Sequence, residues 1–238
     1  MCSSDLFIDW GIRPRPESLR RKGVREMHPH IVWNYFEDLG GNKEAYRLHT
    51  GYTFFFENGA FAELSVNPAF ERLDDEFEID PEATPIQPGE YGWTEYQLRG
   101  NTDSSQPFSL SATGILGGLW TGDQKTLNTS VNLKPNYHLR AEVGVSWTDA
   151  SLPEGDFTKT FWTGRVNYSF NKDMFVDALV QYDPQSGLFN SNVRFNFIHH
   201  PLSNLYVVWN EQRFTTGTDR NLNPGRSLII KVTQMLAF

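Results

Sequence analysis

Tyr137-His-Leu-Arg-Ala-Glu-Val-Gly-Val-Ser-Trp147 alternates without a break. Tyr137, Leu139, Ala141, Val143, Val145 and Trp147 fall on one side, and His138, Arg140, Glu142, Gly144 and Ser146 on the other. A period of two is that of a β-strand, whose successive side chains point to opposite faces. The steps from Tyr137 to Trp147 rise roughly 33 Å along a strand, or about 25 Å across a slab crossed at a tilt near 40°. That is the height of the apolar band of an outer-membrane barrel, with an aromatic at each rim. Strands of soluble sheets average about five or six residues. This stretch therefore predicts an all-β, antiparallel, up-and-down transmembrane β-barrel.

The alternation recurs on both sides, at 29–35, 46–56, 60–66, 91–99, 108–120, 127–133, 162–170, 174–182, 193–199, 205–211 and 227–238, giving about twelve strands. Residues 46–56 set Tyr46, Leu48, Tyr52, Phe54 and Phe56 against Arg47, His49, Gly51 and Thr53. Residues 60–66 set Ala62, Leu64 and Val66 against Glu63 and Ser65. Three short connections, Glu57-Asn58-Gly59, Lys134-Pro135-Asn136 and Asn171-Lys172-Asp173, are read as three-residue hairpin loops, and His200-Pro201-Leu202 as a fourth that pairs Phe197 with Leu205. Such a loop keeps the faces of its two strands matched. Longer connections, at 74–90, 148–156, 183–188 and 213–225, tend to alternate with the short ones, as at the two ends of an outer-membrane barrel. The last stretch carries Leu228, Ile230, Val232, Leu236 and Phe238 on one face. Ile230, Val232, Leu236 and Phe238 read as a C-terminal signal for the barrel-assembly machinery.

In this arrangement the apolar faces meet outer-membrane lipid. Tyr46, Phe56, Tyr137, Trp147, Trp162 and Phe170 are the membrane-rim aromatics. The opposite faces meet a lumen that holds Arg47, His49, His138, Arg140, Glu142, Arg165, Asp177, Arg194 and Lys231. Lumen charges are expected to pair across neighbouring strands, or to contact a passing solute.

With 238 residues the chain closes one barrel or buries one core, so a single domain is expected over 24–238. Residues 1–23, with Pro14, Pro16 and the basic run Arg20-Arg21-Lys22, read as a linker or truncated N-terminal segment. No run of about 18 apolar residues is present, which excludes a transmembrane helix and leaves a barrel untouched. A net charge of -8 argues against a nucleic-acid partner. Cys2 is the only cysteine, so no disulfide framework is expected. Met1 to Trp10 lacks the basic start and apolar core of a signal peptide, which favours reading the chain as a C-terminal piece of a longer protein.

Candidate chemistry is sparse. The acidic run Glu71, Asp74, Asp75, Glu76, Glu78, Asp80 and Glu82 does not follow the EF-hand spacing and reads as a solvated loop. His28-Pro29-His30 and His199-His200 invite a metal reading, but no third ligand stands out, and no metal or cofactor is expected. Gly117-Gly118 marks a bulge or close packing. No nucleophile, phosphate-loop or zinc-protease motif is present, so no catalytic residue is assigned.

Gly11-Ile12-Arg13-Pro14-Arg15, Ile86-Gln87-Pro88-Gly89-Glu90-Tyr91, Asn192-Val193-Arg194, Leu205-Tyr206-Val207-Val208-Trp209-Asn210 and 226–232 before Phe238 together give the chain a resemblance. It resembles the C-terminal part of a bacterial outer-membrane β-barrel domain of unknown function, which in its family follows a carbohydrate-binding, family-nine-like module. The resemblance implies an outer-membrane location and an association with saccharide, and brings no catalytic residues. Two functional expectations stand side by side: an outer-membrane barrel that passes or binds a solute, and a soluble secreted β-sandwich that binds or hydrolyses carbohydrate. A third is that the strands are an incomplete barrel with open edges that does not fold alone.

Overall fold

The computed structural model describes residues 4–79, 84–215 and 225–235. The fold is all-β. Among the described residues, thirteen strands follow one another in chain order through one sheet. They are β1 (Ser4–Gly11), β2 (Val24–Glu37), β3 (Lys43–Phe56), β4 (Phe61–Leu73), β5 (Gly89–Asn101), β6 (Phe108–Leu119), β7 (Gly122–Leu133), β8 (Leu139–Ser151), β9 (Phe157–Asn171), β10 (Met174–Asp183), β11 (Leu188–His200), β12 (Ser203–Phe214) and β13 (Gly225–Thr233). The one helix among the described residues is the single turn α1 (Glu17–Arg20). The chain divides into two compact units, one of Met1–Asp103, Ser111–Asn128 and Trp147–Lys159, the other of Ser104–Leu110, Thr129–Ser146 and Thr160–Phe238.

All twelve expected strands are present, and β1 is the thirteenth. It lies inside the stretch read as a linker: Leu6 and Ile8 pair with Tyr35 and Trp33 of β2, whereas only the following residues connect. The prolines and basic run that suggested a linker begin beyond Gly11, and the alternation of Leu6, Ile8 and Trp10 ahead of them is a strand signal in its own right. The connection is itself tied down. Arg13 and Arg15 both donate to Glu26, at 3.2 Å and 2.8 Å, and the Met27 amide donates to the Pro14 carbonyl at 3.0 Å.

The hairpins follow the expected faces with local differences. At Glu57-Asn58-Gly59, Gly59 takes a φ of 85°, a left-handed conformation open to glycine, and the Phe56 amide donates to the Ala60 carbonyl at 2.9 Å. Phe54 then opposes Ala62, and Tyr52 opposes Leu64, so the apolar residues share one face. Phe197 opposes Leu205 as expected. Around Lys172-Asp173 the turn is tighter, with Asn171 opposite Met174, but a bulge restores the register, so Tyr168 opposes Val176 and Trp162 opposes Tyr182. The connection at Lys134-Pro135-Asn136 is longer than expected and includes Tyr137. Asn136 Oδ1 accepts from the amides of His138 and Leu139, so the strand begins at Leu139 and Tyr137 sits in the turn, exposed. A side chain that caps the backbone in this way replaces a ladder bond. The terminal strand stops at Thr233, and Leu236 and Phe238 lie outside the described residues.

The long connection between β4 and β5 is anchored in the first unit. Phe77 and Ile86 form an isolated bridge across it, and the Ile86 side chain is fully buried. Phe77 packs on Trp120 at 5.2 Å between ring centroids, and Trp93 on Trp120 at 5.6 Å. Glu71 accepts from Trp120 Nε1 and Asp74 pairs with Arg72, so these two acids serve structure, while Asp80 and Glu82 lie outside the described residues. Gly117 and Gly118 pack closely on β5, where an added Cβ would lie 2.4 Å from the Thr94 carbonyl and 2.6 Å from Trp93 Cβ.

The turn between β2 and β3 is held by one carboxylate. Asp38 accepts from the Gly40 amide, from the Asn42 amide and side chain, and from Arg72 Nη2. These donors, Asn42 first, hold its carboxyl down at about 2, against an ordinary value of 3.8. The folded value is the lower one, so the contribution of Asp38 is complete above the unfolded pKa and is lost as pH falls through about 2. Amide exchange at Gly40 and Asn42 is expected to stay slow from pH 7 down to pH 4, apart from the intrinsic pH dependence of exchange. Asp38→Ala should remove that protection at every pH. Equal protection in the variant would show that the side chain does not hold the turn.

Candidate functional site

Over residues 63–67 of β4, in the first unit, the two faces of the sheet are reversed relative to a water-soluble core, while Ala69 and Phe70 farther along the strand are buried. On β4, Glu63, Ser65 and Asn67 are 2%, 6% and 0% exposed, whereas Leu64 and Val66 are 60% and 40% exposed. Thr53, Glu95 and Glu26 join the buried polar set, and Leu98 and Tyr96 the exposed apolar one. In the second unit Val143, Val166, Tyr168 and Phe170 are exposed, while Asn196 and Ser203 are buried; β13 is exposed on both faces, Ile229 as well as Leu228 and Ile230.

Register assembles the buried polar set row by row. Thr53 opposes His28 on one side and Glu63 on the other, and Glu63 opposes Arg99. One row along, Gly51 opposes His30 and Ser65, and Ser65 opposes Gln97. Beyond that, His49 opposes Val32, and Asn67 opposes Glu95. Because directly opposed residues in antiparallel strands hold their Cβ atoms about 5 Å apart, these side chains must meet.

They meet as one network. Glu63 Oε2 accepts from Thr53 Oγ1 at 2.6 Å and from Arg99 Nη2 at 2.9 Å, while Arg99 Nε lies 2.7 Å from Oε1. Oε1 is buried, and no hydrogen bond is aligned on it. His30 Nε2 and His49 Nε2 face each other at 3.0 Å, and they lie 3.9 Å and 3.6 Å from Glu63 Oε2 and Oε1. His30 Nδ1 meets the His28 carbonyl at 3.0 Å, and His49 Nδ1 meets Asn67 Oδ1 at 2.7 Å. The Asn67 amide is oriented by its Nδ2, which donates to Gln97 Oε1 at 3.4 Å. His28 stacks on His30, with centroids 4.6 Å apart. Among the described residues, His30, His49 and Glu63 form the one group of three side chains with metal-ligand atoms all within 4.8 Å of one another.

Of the expected lumen charges, Arg47 is paired with Glu95, which lies two strands away on β5 and not on a neighbouring strand. Glu95 also accepts from Trp93 Nε1 at 3.2 Å. In the second unit Arg140, Glu142, Arg165, Asp177 and Arg194 do come together, with Asn167 and Asn192, along a cleft of about 500 Å³. Asp177 opposes Arg194 and accepts from Asn167 Nδ2 at 2.6 Å, but among the described residues none of these five charges joins an ion pair. The expected cross-strand pairing is therefore replaced there by an open cationic and amide-rich surface. Lys231 opposes Tyr206 on β12 and is exposed. Neighbouring polar side chains extend that surface: Gln181, Asn190, Asn210, Gln212 and Ser227 line a second cleft of about 460 Å³.

The rim aromatics are only partly gathered. Tyr46 stacks on Phe70 at 5.8 Å, and Trp162 and Phe170 share the exposed face of β9 with Val166 and Tyr168. Trp147 borders an apolar groove of about 850 Å³ in the first unit, together with Trp10, Tyr52, Leu64, Tyr96 and Leu116. His199 and His200 contact each other, and among the described residues no third ligand atom joins them. Sequence reasoning missed Glu63, Asn67 and Arg99. Their period-two positions place them on the polar face, but which strand meets which follows only from register. Against known proteins, no family model, no curated protein and no solved structure matches this chain.

Proposed function

We propose that these strands belong to a bacterial outer-membrane β-barrel protein of the kind that follows a family-nine-like carbohydrate-binding module. In this reading the apolar face is set against lipid, and the polar face passes or binds a solute. The observation that carries it is the reversal on β4, where Glu63 and Asn67 are shielded while the intervening Leu64 and Val66 are open. In water an open apolar face of this extent is costly, at roughly 25 cal/mol per Å² of apolar surface. Against acyl chains it costs nothing, and the polar groups behind it pair with one another. The cleft of Arg140, Arg165, Arg194, Asn167 and Asn192 supplies donors for a polyhydroxylated or anionic solute, and saccharide is the class the family resemblance names.

One observation favours a second reading. The apolar groove of the first unit is bordered by Trp10, Tyr52, Tyr96 and Trp147, aromatic faces on which a sugar ring stacks. A water-soluble sheet binding carbohydrate there is the alternative, and it is not a two-sheet sandwich, because all thirteen strands share one sheet.

Gel mobility after refolding into detergent or lipid separates the two. The unboiled chain is expected to migrate faster than the boiled one and to need amphiphile to stay in solution. A folded monomer that remains soluble without detergent would overturn the membrane reading and favour the groove.

A further inference from the structure

We propose that His30, His49 and Glu63 bind a divalent transition-metal ion of the zinc class, through His30 Nε2, His49 Nε2 and Glu63 Oε1, with a fourth position open to water or to an anionic group. The proposal does not depend on what covers the apolar face.

Zinc binds imidazole nitrogen at about 2.0–2.1 Å and carboxylate oxygen at about 2.0–2.2 Å, so tetrahedral ligand atoms stand roughly 3.4 Å apart. His30 Nε2 and His49 Nε2 stand 3.0 Å apart and His49 Nε2 lies 3.6 Å from Glu63 Oε1, which bracket that value, and His30 Nε2 lies 3.9 Å from the other carboxylate oxygen, Oε2.

Each Nδ1 faces an oxygen that only accepts, the His28 carbonyl for His30 and Asn67 Oδ1 for His49. Each Nδ1 therefore carries the ring proton of the neutral imidazole, which leaves both Nε2 lone pairs aimed at each other. Two lone pairs at 3.0 Å repel unless a cation lies between them. A carbonyl or amide oxygen behind the distal ring nitrogen is also the usual outer support of a metal-bound histidine. A single shared proton would satisfy the histidine pair alone, but it leaves Glu63 Oε1 with the Arg99 Nε ion pair at 2.7 Å and no aligned hydrogen bond.

A Cβ on Gly51 would lie 2.5 Å from His30 Cε1 and 2.7 Å from His49 Nε2, so the missing side chain is what lets both rings settle over the strand. Charge then sets the fourth ligand. Arg99 already neutralises Glu63, so a bound dication keeps its charge and favours an anion, such as hydroxide or a solute carboxylate, at the open position.

The test is a titration of the refolded, chelator-stripped full chain with Co²⁺, in competition with Zn²⁺. One equivalent is expected, with the intense visible absorption of a tetrahedral site. His49→Asn should weaken binding more than about 100-fold, and Asn67→Ala by about 10–100-fold with the tetrahedral spectrum kept, since Asn67 positions His49. Asn67→Asp, which retains the acceptor, should restore most of the loss. His199→Ala with His200→Ala should leave binding unchanged. X-ray absorption of the Zn²⁺-loaded wild type needs no variant, and two imidazoles in the first shell are expected. Less than one equivalent bound, fewer than two imidazoles, or full affinity in folded His49→Asn would each overturn the site and leave a proton-sharing histidine pair.

Discussion

Val143→Arg is expected to cost about 2–4 kcal/mol of folding stability in a lipid bilayer if the apolar face meets lipid as proposed, the price of an arginine at the middle of such a strand. Val143 lies near the middle of β8 on the face that carries Leu139, Ala141 and Val145, and it is 54% exposed. The same substitution at an exposed position of a water-soluble sheet changes stability by no more than about 0.5 kcal/mol. Ser146→Arg, on the opposite face, should be tolerated far better in the bilayer. Urea unfolding in lipid vesicles measures both, and equal tolerance of the two substitutions would refute the assignment of the faces.

Glu63→Ala is expected to destabilise the first unit by about 2–4 kcal/mol. The Glu63 side chain is 1% exposed and accepts from both Thr53 and Arg99. Breaking a buried ion pair from one side costs about 3–5 kcal/mol, and the figure is reduced here because the Arg99 side chain is 44% exposed and can turn to water. Glu63→Gln keeps the shape and an acceptor for Thr53, so it should cost less than Glu63→Ala. Denaturant unfolding of the refolded chain, followed by tryptophan fluorescence, distinguishes the two. A cost below about 0.5 kcal/mol for the alanine variant would mean that the network contributes little to folding.

Both predictions rest on a distinction that was partly legible beforehand. The polar partners of Tyr52 and Phe54, namely Gly51 and Thr53, and those of Leu64 and Val66, namely Glu63 and Ser65, were identified by alternation alone. The turn Glu57-Asn58-Gly59 even fixes that Thr53 meets Glu63, because so short a loop leaves the two strands one register. The same reasoning placed Arg47 and His49 on the polar face. It failed for Tyr137, where an asparagine side chain intercepts the backbone, and for β1, where prolines downstream concealed a short alternating run.

What the amino-acid sequence by itself determined is therefore the local part: strands, their two faces, and the hairpins closed by few residues. The period of two is a property of each strand's own backbone and needs no partner to be read. Only the tertiary structure decided that His30 on β2, His49 on β3, Glu63 on β4 and Arg99 on β5 share one cluster, and that Arg140, Arg165 and Arg194 line one cleft. The long connection between β4 and β5 leaves their register free, so opposing Glu63 to Arg99 depends on the packing of Phe77, Ile86, Trp93 and Trp120 and on pairing along the whole length of both strands.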